Sequence, residues 1–395
     1  MEPNDVVVIS GARTPMGRFG GTLKDVAAYD LGAVVVAEAL KRANLKGEDI
    51  DDVILGSCRQ AGNGPNPSRT ASIRGGIPYT VPTITLNMAC PSGMRALAMA
   101  SQAIRLGESE VVMIGGFDSM STIPYLLKDA RWQGFKMGNK VLLDGWSDSI
   151  DPVCDMGMGQ TAENLVDKYK LTREEMDEFA MSSHQKAAKA QDEGWFEEEI
   201  VPVEVPQRKG DPIIFDKDET IRRDSTIEKL GKLPTVFKKD GKITAGNTCG
   251  MSDGAVAMVV TSRAKAEELG VKPLFSLLSY SQTAVESSLM GDGPGVAIPL
   301  ALEKANMKLD GVDFIEVNEA FAAQILANEK VLKWNRDKLN FHGGAIALGH
   351  PTGISGARII LTLYHVLRVH DGKIGLAGIC GGGGVSMAAV IKREN

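Results

Sequence analysis

The chain is predicted to be an α/β protein made of two related halves with a smaller domain inserted between them. Three observations lead there. Short apolar, strand-like runs alternate with helical stretches, which argues for a parallel sheet. A similar order of elements, each time with a chemically distinctive residue before a proline, occurs near both ends of the chain. The middle stretch, Ser121 to Thr248, is rich in charge and punctuated by Pro202, Pro206 and Pro212.

Val6 to Ile9 reads as the first strand, followed by the turn GARTPMGRFGG. Leu31, Val34, Val35, Ala39 and Leu40 fall near helical spacing and predict a helix from about Tyr29 to Ala43. Asp52 to Gly56 and Thr83 to Met88 read as strands, the second leading into Cys90. A helix is expected from Pro91 to about Leu106, then a strand from Val111 to Ile114 closed by Gly115-Gly116. In the middle stretch, Thr172 and Glu175 form a capping box for a helix to about Gln191. Gly250 to Thr261 is apolar again and is expected to rejoin the first sheet.

Asp313 to Val317 matches the Asp52 strand, and Gly349-His350-Pro351-Thr352-Gly353 stands where Ala89-Cys90-Pro91-Ser92-Gly93 stood. From Asp52 to Cys90 is 38 positions (90 − 52) and from Asp313 to His350 is 37 (350 − 313), which supports a duplication. A helix with Ile359, Ile360, Leu363 and Val366 follows, then a strand from Ile374 to Ile379. The expected division is residues 1–120, rejoined by 250–271, as the first half; 121–249 as the inserted domain; and 272–395 as the second half.

A net charge of −6 argues against a nucleic-acid surface, which needs a basic excess. Five cysteines spread without a CxxC pair are neither a zinc module nor a disulfide framework and fit a reducing compartment. No stretch approaches the roughly 20 apolar residues of a membrane span. The start, MEPNDVVVIS, has no signal-peptide or transit-peptide pattern. A cytoplasmic enzyme is expected.

Cys90 precedes a proline at a helix start, where free N–H groups and the positive dipole end favour a thiolate. Against this stands the commonest fate of a free cysteine, burial in a core. His350 lies among glycines that leave little bulk to bury, and a helix N-terminus keeps an imidazole neutral, which suits a base. Cys380 precedes four glycines whose N–H groups could form an oxyanion hole or simply a tight turn. Asn318 stands at the carboxyl end of a strand, where open sheets place ligands. These residues lack metal-ligand spacing, so no metal is expected.

The chain resembles the thiolase family along nearly its whole length, most closely its acetyl-CoA acetyltransferases. The motifs are ARTPMGRFGG, NPSR, CPSGMRA, MGQTAEN, AGNTCGMSDGA, MGDGP, NEAFAAQ, GGAIALGHPTGISGAR and CGGGG, in the family's order. The resemblance implies five αβαβα layers with a loop domain between two halves. It implies that Cys90 accepts the acyl group, His350 activates it, and Cys380 moves the α-proton of a second acyl-CoA. It implies one oxyanion hole from His350 and a water held by Asn318, and another from the amides of Cys90 and Gly382. Arg222, Phe237, Ala245, Cys249 and Met158 would line the coenzyme A site, with Met290 and Phe321 at the acyl pocket. Acyl-CoA and CoA would be substrate and product in fatty acid metabolism, with no tightly bound cofactor. ARWQGFKMG resembles a segment that pairs dimers into homotetramers.

Four positions depart from the family pattern. Cys249 replaces a serine, Gly157 a histidine found in some biosynthetic members, His342 an asparagine and Ile354 a small residue. Three readings follow: condensation of two acetyl-CoA to acetoacetyl-CoA, a broader 3-ketoacyl-CoA thiolase, or a non-catalytic CoA-binding scaffold. Retention of every reactive residue argues against the last. A Cys90–Cys380 disulfide under oxidation is a further expectation.

Overall fold

A computed structural model describes residues 5–146 and 150–394; the acidic start, 1–4, lies outside them. The first half contributes β1 (Val6–Arg13), α1 (Ala28–Ala43), β2 (Asp52–Gly56), β3 (Thr83–Leu86), α2 (Ser92–Leu106) and β4 (Val111–Ser119). The inserted stretch carries α3 (Met158–Tyr169) and α4 (Arg173–Asp192). β5 (Ser252–Ser262) and β6 (Phe275–Ala284) follow, then α5 (Gly293–Lys304), β7 (Phe314–Val317) and α6 (Ala322–Leu332). The chain ends with α7 (Ser355–Val369), β8 (Ile374–Cys380) and β9 (Val385–Arg393).

The strands run β7-β8-β9-β6-β1-β5-β4-β2-β3 across the molecule. The predicted parallel sheet needs correction. Among the described strands, only β2 with β3 and β4, and β7 with β8, are parallel. β1, β5, β6 and β9 all pair antiparallel. Strands covered on both faces read as continuous apolar runs in either direction, so the local sequence does not encode their polarity. β5 lies between β1 and β4, returning the chain to the first half after the insertion.

Three apolar clusters separate five layers. One joins α1, through Leu31, Val35 and Ala39, to Val53, Met113 and Val259 of the first sheet region. The central cluster holds Met94 and Leu97 of α2 against Ile359, Ile360 and Leu363 of α7, with strands on either side. The third packs Ala297, Ile298 and Ile325 on Ile315, Leu376 and Val390. Ile354 is fully buried in the central cluster, which accounts for its apolar side chain.

α2 and α7 cross near their N-termini. A Cβ on Gly93 would sit 2.7 Å from the Ala357 nitrogen, and one on Gly356 2.6 Å from the Met94 nitrogen. Only glycine permits this approach, and it brings the Cys90 and His350 turns together. β4 corrects a second expectation. Gly115 and Gly116 do not close the strand, which continues to Ser119. Their Cβ atoms would strike the Val256 and Gly56 carbonyl oxygens at 2.0 and 2.6 Å, so they mark close strand approach. The continuation delivers Asp118. The predicted capping box is present, with Thr172 accepting from the Glu175 amide and Glu175 from the Thr172 amide.

Candidate active site

Cys90 ends a tight turn after β3. Ala89 is held in the left-handed region at φ 52°, a conformation that costs energy for a residue with a Cβ. Ser92 ties the turn by donating to the Ala89 carbonyl at 2.6 Å and accepting from the Met88 amide at 2.8 Å. The sulfur is thereby aimed into the gap between the two halves.

His350 faces it, Nε2 to Sγ 3.2 Å. Its backbone N–H donates to Ser252 Oγ at 2.6 Å, which fixes the ring from β5. Ser355 Oγ donates to the Pro351 carbonyl at 3.0 Å and lies 2.6 Å from His350 Nδ1. Its own proton being used on Pro351, that oxygen accepts from Nδ1–H. The network thus assigns the Nδ1–H tautomer and leaves Nε2 as an acceptor for the Cys90 thiol.

Burial, helped by Arg358 and Arg59, pushes the His350 imidazole down to about 3. Burial pushes the Cys90 thiol up to about 11, against the opposing pull of the Gly382 amide and Arg59. The resting pair is therefore neutral thiol and neutral imidazole. This corrects the expectation of a helix-stabilised thiolate, because desolvation outweighs the amides and the dipole.

Cys380 ends β8, buried, its thiol also raised by burial. The Gly381–Gly384 turn beyond it needs its glycines. Gly384 sits at φ +81°, and a Cβ there would lie 2.1 Å from the Val285 carbonyl oxygen. This turn sets the Gly382 amide toward Cys90.

A cavity of about 620 Å³ collects Cys90, His350, Cys380, Gly382, Arg222, Phe237, Ala245, Cys249, Met158, Met290 and Phe321. Phe237 packs on Gly159, where any Cβ would strike its ring at 2.2 Å, and meets Phe321 edge-on at 6.2 Å. Asn318 does not line this cavity. It is fully buried, with neither side-chain polar atom hydrogen-bonded. An unpaired buried amide calls for a water or ligand partner.

Arg222 lines the cavity, whereas its neighbour Arg223 pairs with Asp192 at 2.8 Å and Gln191 at 2.7 Å. The asparagine-replacing His342 is fully buried, with Nε2 2.9 Å from His370 Nε2 and its ring stacked on Trp195 at 4.8 Å. It belongs to an aromatic cluster rather than to the cavity.

Sequence reasoning missed Asp118. Its carboxylate accepts from Ser57 Oγ, the Cys58 and Arg59 amides, Thr352 Oγ1 and the Gly353 amide, at 2.6 to 3.2 Å. It thus binds a loop of the first half to the turn after His350. A lone aspartate in GGFDSM carried no local signal beyond following an apolar strand. A smaller cavity, about 330 Å³ and lined by Cys58, Arg59, Asn87 and Asp151 among others, was also missed. Among the described residues, no group of three or more His, Cys, Asp or Glu could hold a metal ion. No described helix is long and apolar enough to cross a membrane.

A thiol, a neutral imidazole acceptor, a second thiol and converging amides at one cavity are the equipment of acyl transfer through a thioester. The thiolase N-terminal domain matches residues 6–264 and the thiolase C-terminal domain residues 271–393. A Staphylococcus epidermidis protein named probable acetyl-CoA acyltransferase is 49% identical over 391 residues, covering 98% of each chain. One of the same name from Staphylococcus aureus is 46% identical over 390 residues, covering 98% of this chain and 99% of its own. The crystal structure of the Bacillus anthracis acetyl-CoA acetyltransferase superposes with a TM-score of 0.96 at 43% identity, covering 98% of each chain. The acetyl-CoA acetyltransferase from Syntrophomonas wolfei gives 0.95 at 42%, covering 99% of this chain and 100% of its own. The chain is an acyltransferase, and it belongs to the thiolase family.

Proposed function

We propose that the protein catalyses the reversible Claisen condensation of two acetyl-CoA to acetoacetyl-CoA and CoA, through an acyl-Cys90 thioester. The observation that carries this is the 3.2 Å contact between Cys90 Sγ and His350 Nε2 at the cavity. His350 Nε2 takes the Cys90 proton as sulfur attacks the thioester carbonyl, and Cys380 gives its own proton to the departing CoA thiolate. The Cys380 thiolate then removes an α-proton from the second acetyl-CoA, and the resulting carbanion attacks acyl-Cys90, whose departing sulfur recovers its proton from His350. Splitting the reaction in two gives ping-pong kinetics.

His350 and an Asn318-held water would stabilise one developing oxyanion, and the Cys90 and Gly382 amides the other. Loss of one such donor costs about 3–4 kcal/mol of barrier. Arg222, Phe237, Ala245, Cys249 and Met158 would hold the coenzyme A arm, and Met290 and Phe321 would bound the acyl group. CoA and acyl-CoA are then substrates in fatty acid metabolism, with no resident cofactor, in a cytoplasmic enzyme. The division into 1–120 with 250–271, 121–249 and 272–395 assigns the CoA arm to the middle domain. Trp132, Phe135 and Met137 are 91%, 74% and 106% exposed, which supports a homotetramer paired through this segment.

The alternative, a broader 3-ketoacyl-CoA thiolase, draws on the 330 Å³ cavity beyond Cys90. Thiolysis of acetoacetyl-CoA and of a longer 3-ketoacyl-CoA, on wild type and Cys90→Ala, separates the two. The proposal expects faster thiolysis of acetoacetyl-CoA and none in the variant. Equal rates favour the broader enzyme, and activity in Cys90→Ala removes the acyl-Cys90 step.

A further inference from the structure

The N-terminal turns of α7 carry a polar stripe into the central layer. Ser355, Arg358 and Thr362 follow at helical spacing, hence on one face, and all three are buried. The stripe begins at the active site, because Ser355 Oγ lies 2.6 Å from His350 Nδ1. β7 meets it from the sheet. Ile315 and Val317 point into the third apolar cluster with Leu376. Glu316 instead pairs with Ala377, which belongs to the central cluster, so Glu316 faces the layer of α7. The Asn318 N–H donates to the Gly378 carbonyl at 3.0 Å, so Asn318 continues the strand and shares the face of Glu316.

Along this seam polar atoms lack partners. Among the described residues, none hydrogen-bonds Glu316 Oε1 or Oε2, Arg358 Nη1 or Nη2, Thr362 Oγ1, or either side-chain polar atom of Asn318. All four side chains are at most 2% exposed. Burial lifts the Glu316 carboxyl to about 8, and the Arg358 guanidinium is the strongest charge opposing it. Yet no hydrogen bond joins the two. The nearby Glu319 is held quite differently, accepting from Ser183 Oγ, Asn340 Nδ2 and the Ile346 amide at 2.6 to 3.1 Å. Buried polar groups facing one another without contact are joined by ordered water, each molecule making about three bonds.

We propose that Glu316, Arg358 and Thr362 enclose internal water that seats the Asn318 amide, making Glu316 and Arg358 positioning residues for the oxyanion of the second acyl-CoA. This rests on the acyl-transfer reading above and adds residues that touch no substrate. The Cys90 amide lies beside the carbonyl that its own sulfur attacks, which leaves the Asn318 water for the other thioester. Asn318 does not line the large cavity, so its amide acts there through that water. To aim a water hydrogen at an oxyanion, Asn318 donates from Nδ2 to the water oxygen. Its Oδ1 then needs a donor on the opposite side. A guanidinium has donors and no acceptor, so water bridged to Arg358 selects this orientation of the amide. The protonated Glu316 carboxyl both donates and accepts, and it holds the bridge in place.

Two rates test the role. Exchange of acetyl-CoA methyl protons with deuterated water reports α-proton removal by Cys380, where the Asn318 water serves. Exchange of label between acetyl-CoA and free CoA reports acyl transfer at Cys90, where the Cys90 and Gly382 amides serve. Glu316→Leu should slow methyl exchange roughly tenfold or more, part of what a lost oxyanion donor costs, with acyl transfer near the wild-type rate. Glu316→Gln keeps a donor and an acceptor and should restore most of the loss. Equal loss of both rates or unchanged methyl exchange in Glu316→Leu overturns the proposal, as does a Glu316→Gln no better than Glu316→Leu. A high-resolution crystal structure of the wild type decides the matter should Glu316→Leu not fold. Water bonded to Glu316, Arg358 and Asn318 is expected there, and a dry seam overturns the proposal. A wild type that performs neither exchange overturns the acyl-transfer reading itself.

Discussion

His350 Nε2 lies 3.2 Å from Cys90 Sγ although 260 positions separate the residues. Two helix N-termini crossing at Gly93 and Gly356, and a carboxylate shared between the halves, hold them there. The contact joins a thiol whose burial keeps it protonated to an imidazole whose burial keeps it bare. Each is the partner the other needs for proton transfer, and neither is charged at rest.

That pairing predicts how Cys90 reacts. With the thiol at about 11 and the imidazole at about 3, alkylation of Cys90 by iodoacetamide should rise steadily from pH 7 to pH 10. A plateau already reached below pH 7 would reveal a preformed thiolate and contradict the neutral pair. Replacing His350 by Asn should lower turnover by about 10²–10⁴ while CoA binding, read by calorimetry, persists.

Asp118 predicts a coupling between the halves. Asp118→Asn puts an amide N–H₂ among donors that all require an acceptor. It should cost about 1–3 kcal/mol of stability, read from chemical denaturation. Turnover should fall further than stability accounts for, because the turn after His350 loosens. A variant with unchanged denaturation midpoint and turnover would remove Asp118 from this role.

Gly349→Ala tests the seat of His350. Gly349 sits at φ +95°, and a Cβ there would lie 2.4 Å from Ser252 Oγ, the acceptor of the His350 amide. The variant should retain Cys90 alkylation by iodoacetamide yet lose most acyl transfer. Full activity would show that the seat tolerates the shift.

Four buried histidines predict acid sensitivity. Burial depresses His184 and His365 to about 4 and His342 and His350 to about 3, from an ordinary value of 6.5. Each is neutral when folded and takes a proton more readily when unfolded. Their contribution is whole above pH 6.5 and is lost as pH falls from 6.5 toward 3. The thermal midpoint should decline over that interval, less steeply in His342→Asn. A midpoint independent of pH there would contradict the assignment.

Much of the arrangement was legible because it is local. The strand and helix runs, the Thr172 capping box, and Cys90, His350 and Cys380 beside their prolines and glycines all announce themselves within a few residues. Strand polarity did not, since β5, β6 and β9 are apolar in either direction and find their partners across the chain. The protonation of Cys90 was misread because burial is set by both halves together, while the helix end is visible in one. Asp118 was missed for the same reason: its partners lie in remote turns. Gly115-Gly116 looked like a turn because glycine marks turns and close strand contacts alike.

The central claim is that Cys90 carries the acyl group between the two half-reactions. Wild-type protein mixed with acetyl-CoA, quenched in acid and mapped by peptide mass spectrometry tests it most directly. The account predicts a mass increase of one acetyl group on the Cys90 peptide, removed by added CoA and absent in His350→Asn at short times. Turnover with no such adduct, or an acetyl group that maps to Cys58, Cys249 or Cys380 instead, would contradict it.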